Sequence, residues 1–212
     1  MVWNATHIPF GITVPEARKI ANPILKDIVE FTNYGIETDG AFFSIKCVVK
    51  PKGGAILHKH ASYSENLKCL RGKMGIETGY GKASKTHIYG PGEEVHVAAG
   101  KWHRFFNPSE TEDMEFEGTV TPAHQGFEIM LHIMYGLARD GLCNKDDPVP
   151  KSFVHACLTL AMAEVTFAQW DLWLVSQMAG AVRAWARWTG EEERLIKKYY
   201  GKPVGESDRK DL

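Results

Sequence analysis

The chain is poor in several features, and each shortage narrows what it does. Cysteine occurs only at Cys47, Cys69, Cys143 and Cys157, with no C-x-x-C pair. At 212 residues that spacing does not read as a disulfide framework. The formal net charge is only −1, so there is no basic surplus to hold a phosphate backbone and nucleic acid is not an expected partner. Long uncharged runs are missing too. In the tryptophan-rich region the longest is Leu172–Val182, well short of the roughly 18 residues a membrane span needs. Met1–Lys19 has neither a basic leader nor an apolar core, so no signal peptide is read and a reducing cytoplasm is expected. Repeats and low-complexity segments are lacking. Apolar content of 44% is ample for a core, which allows one domain with an appendage or two small ones.

Two segments, Gly54–Gly72 and Gly92–Asn107, organise what is present. The first places His58 and His60 two apart and Glu65 five further on. Alternate side chains of a strand share a face, so both imidazoles point the same way and Lys59 points away. A short turn over Ala61–Ser64 brings Glu65 back on the adjacent strand. The second segment supplies His103, a third imidazole. Alone, His-x-His reads as readily as an exposed strand edge. With Glu65, Gly72 and the second segment in register, a metal site is the better reading. Imidazole suits iron, copper, nickel and zinc, and mixed N/O sites with open positions suit redox or Lewis-acid chemistry.

These residues make the chain resemble the cupin family, whose motifs read G-x5-H-x-H-x3,4-E-x6-G and G-x5-P-x-G-x2-H-x3-N. His58, His60, Glu65 and Gly72 match the first, and Gly92, Gly100, His103 and Asn107 match the second. Gly53 falls one place late, and Ala98 stands where the motif has proline. Both lie in turns and neither removes a ligand. The resemblance covers roughly residues 42–122. It implies a mainly β fold, a double-stranded β-helix (jelly-roll) barrel enclosing one divalent metal ion held by His58, His60, Glu65 and His103.

The whole chain then divides into an N-terminal arm (1–26), a barrel (27–122), a helical C-terminal extension (123–200) and a flexible tail (201–212). The arm reads as irregular, with one helical turn near Glu16–Ala21, lying across a barrel edge. Strands are expected at 28–34, 41–49, 56–60, 64–71, 74–80, 86–89, 94–97, 103–107 and 114–120. Strand parity puts Ile56, Leu67, Cys69 and Phe105 on the ligand face as a substrate pocket. For the strand at 41–49, parity leaves open whether Phe43, Ile45 and Cys47 face inward, or Phe42, Ser44 and Lys46. In the extension, Phe127–Asp140 shows apolar residues at 127, 130, 131, 134 and 137, a helical stripe. Gly141 is its expected C-cap. Ser152–Trp188 reads as helical, with a stripe of Trp170, Trp173 or Leu174, Met178, Ala181, Trp185 and Trp188. A last helix over Thr189–Tyr200 starts with a capping box of Thr189 and Glu192. The extension is expected to lie outside the barrel, apart from the metal site, with its tryptophans buried against protein. A homodimer contact and a membrane surface are the other readings of that stripe.

The expected function is that of a metal-dependent enzyme acting on a small apolar or aromatic molecule, first an iron oxygenase or oxidoreductase. Zinc, manganese, nickel and copper also suit the donors. The alternatives are a non-redox cyclase, isomerase or lyase using the metal as Lewis acid, with His96 or Glu117 as base, and a non-catalytic small-molecule binder.

Overall fold

Along Phe43–Val49, Phe43, Ile45, Cys47 and Val49 are buried while Lys46 is exposed. Alternation therefore selects the first of the two inward sets open to that strand. Each fully buried side chain of this size contributes about 1.5–3 kcal/mol. The same alternation, on many short segments separated by turns, builds two antiparallel sheets around one core.

The computed structural model describes residues 5–145, 148–168 and 170–204. The strands are β1 His7–Pro9, β2 Lys19–Asn22, β3 Asp27–Asn33, β4 Phe43–Val49, β5 His58–His60, β6 Ser64–Arg71, β7 Met74–Thr78, β8 Lys85–Tyr89, β9 Glu94–Val97, β10 His103–Phe106, β11 Met114–Thr121, β12 Val165–Phe167 and β13 Gly201–Pro203. The helices are α1 Phe10–Thr13, α2 Gln125–Arg139, α3 Phe153–Ala163, α4 Trp170–Trp188 and α5 Glu191–Tyr199. A six-stranded sheet runs β2-β3-β4-β11-β6-β9, and a five-stranded sheet runs β12-β5-β10-β7-β8. This is the mainly β, double-stranded β-helix barrel, with helices in the C-terminal region. Val29, Phe31, Leu67, Cys69 and Phe116 from the larger sheet share one core with Met74 and Ile76 from the smaller. All four cysteines are buried and none is in a disulfide.

Segments outside residues 27–122 take part in both sheets. The N-terminal arm is not merely irregular: its helical turn is Pro15–Arg18, and Lys19–Asn22 is an edge strand on β3. The expected helix over 152–188 is two helices interrupted by β12. Glu164 ends α3 in the left-handed region, at φ 53, and the next three residues pair antiparallel with β5. The extension therefore completes the barrel beside the His-x-His strand. Of the tail, Gly201–Pro203 is β13, paired with β1, and residues 205–212 lie outside the described residues.

Helix α2 is capped one residue earlier than expected, with Asp140 as its C-cap and Gly141 just after it. Gly141 adopts φ +71, and the Leu142 amide donates to the Leu137 carbonyl at 2.9 Å. Its burial differs from the apolar stripe. Apart from Leu137, that stripe is half-buried, and the deepest residues include Glu128, Ile129, His132 and Ile133. The barrel covers one side of α2 and the C-terminal elements the other, with Tyr199 against Gly136, so even its polar side chains are enclosed. For α5 the capping box of Thr189 and Glu192 is overturned. Gly190 is the N-cap, at φ 79 and with no side-chain cap. The Thr189 hydroxyl instead donates back to Trp185, and Glu192 accepts from Arg183 and Arg187.

The buried tryptophan stripe is also overturned. Trp173, Met178 and Trp185 are exposed, and Trp188 is 85% exposed. The side chains of Trp170 and Leu174 lie outside the described residues. Helix α4 instead packs through its small residues, with Ala179 and Ala186 buried, and through Arg183. Among the described residues no helix is long and apolar enough to cross a membrane.

Candidate metal centre

His58 and His60 lie on β5, and His103 on β10 sits directly opposite His58 in the antiparallel register. Glu65, near the start of β6, comes from the other sheet. The turn that joins β5 to β6 crosses between the sheets, so the carboxylate meets the three imidazoles inside the barrel. One donor atom from each of the four lies within 4.8 Å of all the others. The His58 and His60 Nε2 atoms are 3.1 Å apart. Glu65 lies 2.7 Å from His103 Nε2 and 3.5 Å from His60 Nε2. His60, Glu65 and His103 are buried, and His58 is half-buried.

Each imidazole is held from behind. His58 Nδ1 donates to the Ile56 carbonyl at 2.6 Å, and His103 Nδ1 donates to the Lys101 carbonyl at 3.0 Å. His60 Nδ1 meets the Tyr63 hydroxyl. That arrangement fixes one tautomer and turns every Nε2 toward the shared point. The second motif is tied to the first by backbone. Gly100, at φ +76, donates its amide to the His60 carbonyl at 2.7 Å, a conformation that L side chains resist. Asn107 is structural: its amide group donates to the Val49 and Glu112 carbonyls and fastens the end of β10.

Burial, with the neighbouring His60 and His103 imidazoles, pushes His58 down to about 3. Burial also pushes Glu65 up, but its contacts with His103 and His60 outweigh it and hold the carboxyl well below its usual range. His103 is lowered by burial, and its bond to Glu65 reverses that and raises it. The donor set is thus one carboxylate and three nitrogens at one buried point. This fits a single divalent ion such as iron, zinc, manganese, nickel or copper.

Residues 45–121 match the family model described as a cupin domain. The chain carries a cupin domain. Solved structures similar to it include oxalate oxidase, 18% identical over 47% of this chain and 52% of that chain, with a TM-score of 0.40. Ectoine synthase from P. lautus is 17% identical over 51% of this chain and 72% of that one, with a TM-score of 0.42. A polyketide cyclase from Streptomyces resistomycificus is 20% identical over 49% and 69%, with a TM-score of 0.39. The chain spans about half the length of the oxalate oxidase it matches. No curated protein matches the sequence.

Within the cupin domain the other expected site residues fall in different places. Leu67 and Cys69 are on the inner face of β6, below Glu65, and Phe105 packs on Phe116 at 4.8 Å between ring centres. Ile56 is 37% exposed; β5 starts only at His58, so strand parity does not extend back to residue 56, and only its carbonyl serves the site. Neither candidate base reaches the interior. His96 is exposed on the edge strand β9. Glu117 is on the outward face of β11, between Lys46 and Lys68 of the flanking strands. The residues that parity misses are aromatic. Between ring centres, Tyr63 lies 4.4 Å from His60, Phe127 of α2 stacks on His60 at 5.5 Å, and Phe167 of β12 meets His58 at 6.2 Å. Tyr63 and Phe127 come from a turn and a helix start, and Phe167 from a strand over one hundred residues from its partner, so no local pattern marks them.

Proposed function

We propose that the chain is a metal-dependent enzyme whose ion is held by His58, His60, Glu65 and His103, and that it oxidises a small apolar or aromatic molecule. The observation that carries this is the convergence of four donors among the rings of Phe127, Phe167 and Tyr63, which pack on His60 and His58. The bound ion would supply Lewis-acid and, as iron, redox chemistry. The protein's own part is to bind and to exclude water. A flat ring bound beside Phe167 would gain stacking or edge contact worth about 0.5–1.5 kcal/mol beyond area burial. Glu65 offers the one negative charge inside the site, and the three imidazoles are each anchored through Nδ1. A Lewis-acid route with His96 or Glu117 as base has less support, since both lie outside the barrel.

Two measurements test the reading. Protein purified without added metal is analysed for bound metal, with one equivalent of iron expected. Iron-loaded protein is then followed for oxygen uptake with a panel of small phenols and aromatic acids. Stoichiometric metal in folded His60→Ala and His103→Ala variants sinks the site. Turnover that persists without oxygen moves the assignment to the non-redox cyclase, isomerase or lyase.

A further inference from the structure

We infer that Tyr63 is a positioning residue of the metal centre, and that through it the C-terminal extension sets the orientation and donor strength of His60. This rests on the metal reading above and adds to it a part of the chain outside the family match.

The Tyr63 hydroxyl touches two groups: the Ala163 carbonyl at 2.8 Å, and His60 Nδ1. A carbonyl only accepts, so the one hydroxyl proton goes to Ala163. The Tyr63 oxygen must then accept, and His60 Nδ1 must carry the proton it donates. His60 Nε2 is left with its lone pair facing His58, Glu65 and His103. All of this is enclosed: Tyr63, His60 and Ala163 are buried. Both partners of the hydroxyl are protein groups, and together they set the tautomer.

The position of Ala163 gives the contact its strength. It is the last residue of α3, and Glu164 turns away in the left-handed conformation. The last carbonyls of a helix have no partner within it and carry the negative end of its dipole. Drawing the Tyr63 proton toward that end leaves more electron density on the phenol oxygen, which strengthens its hold on the His60 Nδ1 proton. A histidine whose distal N–H is bound in this way is a more basic and better oriented ligand. The same segment enforces the geometry twice more. Val165 of β12 pairs with His60 in register, and the Ala168 amide donates to the Leu57 carbonyl. His58 and His103 rest on carbonyls of their own strand neighbourhood, whereas His60 rests on a helix that starts nearly a hundred residues later in the chain.

The test is cobalt(II) binding, by chelator competition and visible absorption, in the full chain and in Tyr63→Phe, which keeps the ring. Tyr63→Phe is expected to bind cobalt(II) about ten- to a hundredfold more weakly and to shift the ligand-field bands, while the metal-free melting profile stays cooperative. His60→Ala is the control and should fail to bind stoichiometrically. Equal affinity and unchanged bands in Tyr63→Phe, with His60→Ala defective, overturn the role of Tyr63 and leave the metal site standing. Failure of the unaltered chain to take up one cobalt(II) overturns the metal reading itself. The unaltered chain also provides a measurement free of folding effects, nitrogen-15 NMR of the zinc-loaded protein. A proton on His60 Nδ1 is expected, and a proton on His60 Nε2 overturns the inference.

Discussion

Glu128 and His132 lie one turn apart on α2, both buried, and both are charged in only part of the pH range. Burial raises Glu128 to about 7, against hydrogen bonds from Tyr200 and Gly35 that favour its ionised form. Burial lowers His132 to about 4, where its ring stacks on Phe31 and meets the Tyr34 hydroxyl. The signs are opposite. Glu128 contributes stability that is full below about 4.5 and is lost as pH rises through about 7. His132 contributes stability that is full above about 6.5 and is lost as pH falls through about 4. Each window is worth on the order of 3 kcal/mol. Between about pH 4.5 and 6.5 the two trends oppose each other, so their joint contribution is nearly flat there. Glu128→Gln should remove the alkaline decline. Urea unfolding at pH 5 and pH 8 checks this: the unaltered chain should weaken more between those values than the variant, and parallel behaviour would refute the assignment.

At the scale of elements, α3, α4 and α5 are joined at Arg183. Its guanidinium donates to Glu192 and to the Ala161 carbonyl, and Arg187 adds a second bond to the same carboxylate. Glu192→Ala leaves a partly buried cation without its partner and should cost about 2–3 kcal/mol. Thr189→Ala should change stability by less than about 0.5 kcal/mol, since Thr189 caps nothing. Equal losses in urea unfolding of the two variants would restore the capping box. Strands such as β6 and β9 are legible in the sequence to the residue, because alternation and turn residues are local signals. So are the four donors, because a motif puts them on two short segments. Elements that depend on distant partners are not legible. Val165–Phe167 is three residues inside a helical pattern, and the chain leaves the helix at Glu164, with no glycine or proline to announce it. Gly190 takes the cap from Thr189 because a glycine at φ 79 turns into the helix more readily than threonine can. For the site, Tyr63 and Phe127 are ordinary core aromatics until the fold brings His60 between them.

On the scale of the whole molecule, barrel and extension are one unit. Leu158, Met162, Leu195 and Tyr200 belong to the same core as Phe43 and Met74. A chain ending before Ser152 should therefore lose cooperative melting and fixed near-ultraviolet dichroism; a truncated barrel that stays folded and binds metal would contradict this. The tryptophans of α4 behave as surface: Trp188→Ser should leave stability within about 0.5 kcal/mol, while acrylamide quenching of the native chain drops by the Trp188 share. The pairing of β1 with β13 has a further consequence, one of time. His7 stands opposite Pro203, and Gly201 approaches Ile8 so closely that an added Cβ would lie 1.9 Å from its carbonyl. Contacts between such distant residues form late, after the entropy of closing the intervening chain has been met. During synthesis the stretch from His7 onward must wait, its strand edge bare, until nearly two hundred more residues have left the ribosome. The seam is the last stitch of folding and the first to open, so hydrogen exchange at Ile8 should run ahead of that at Phe43 or Leu67.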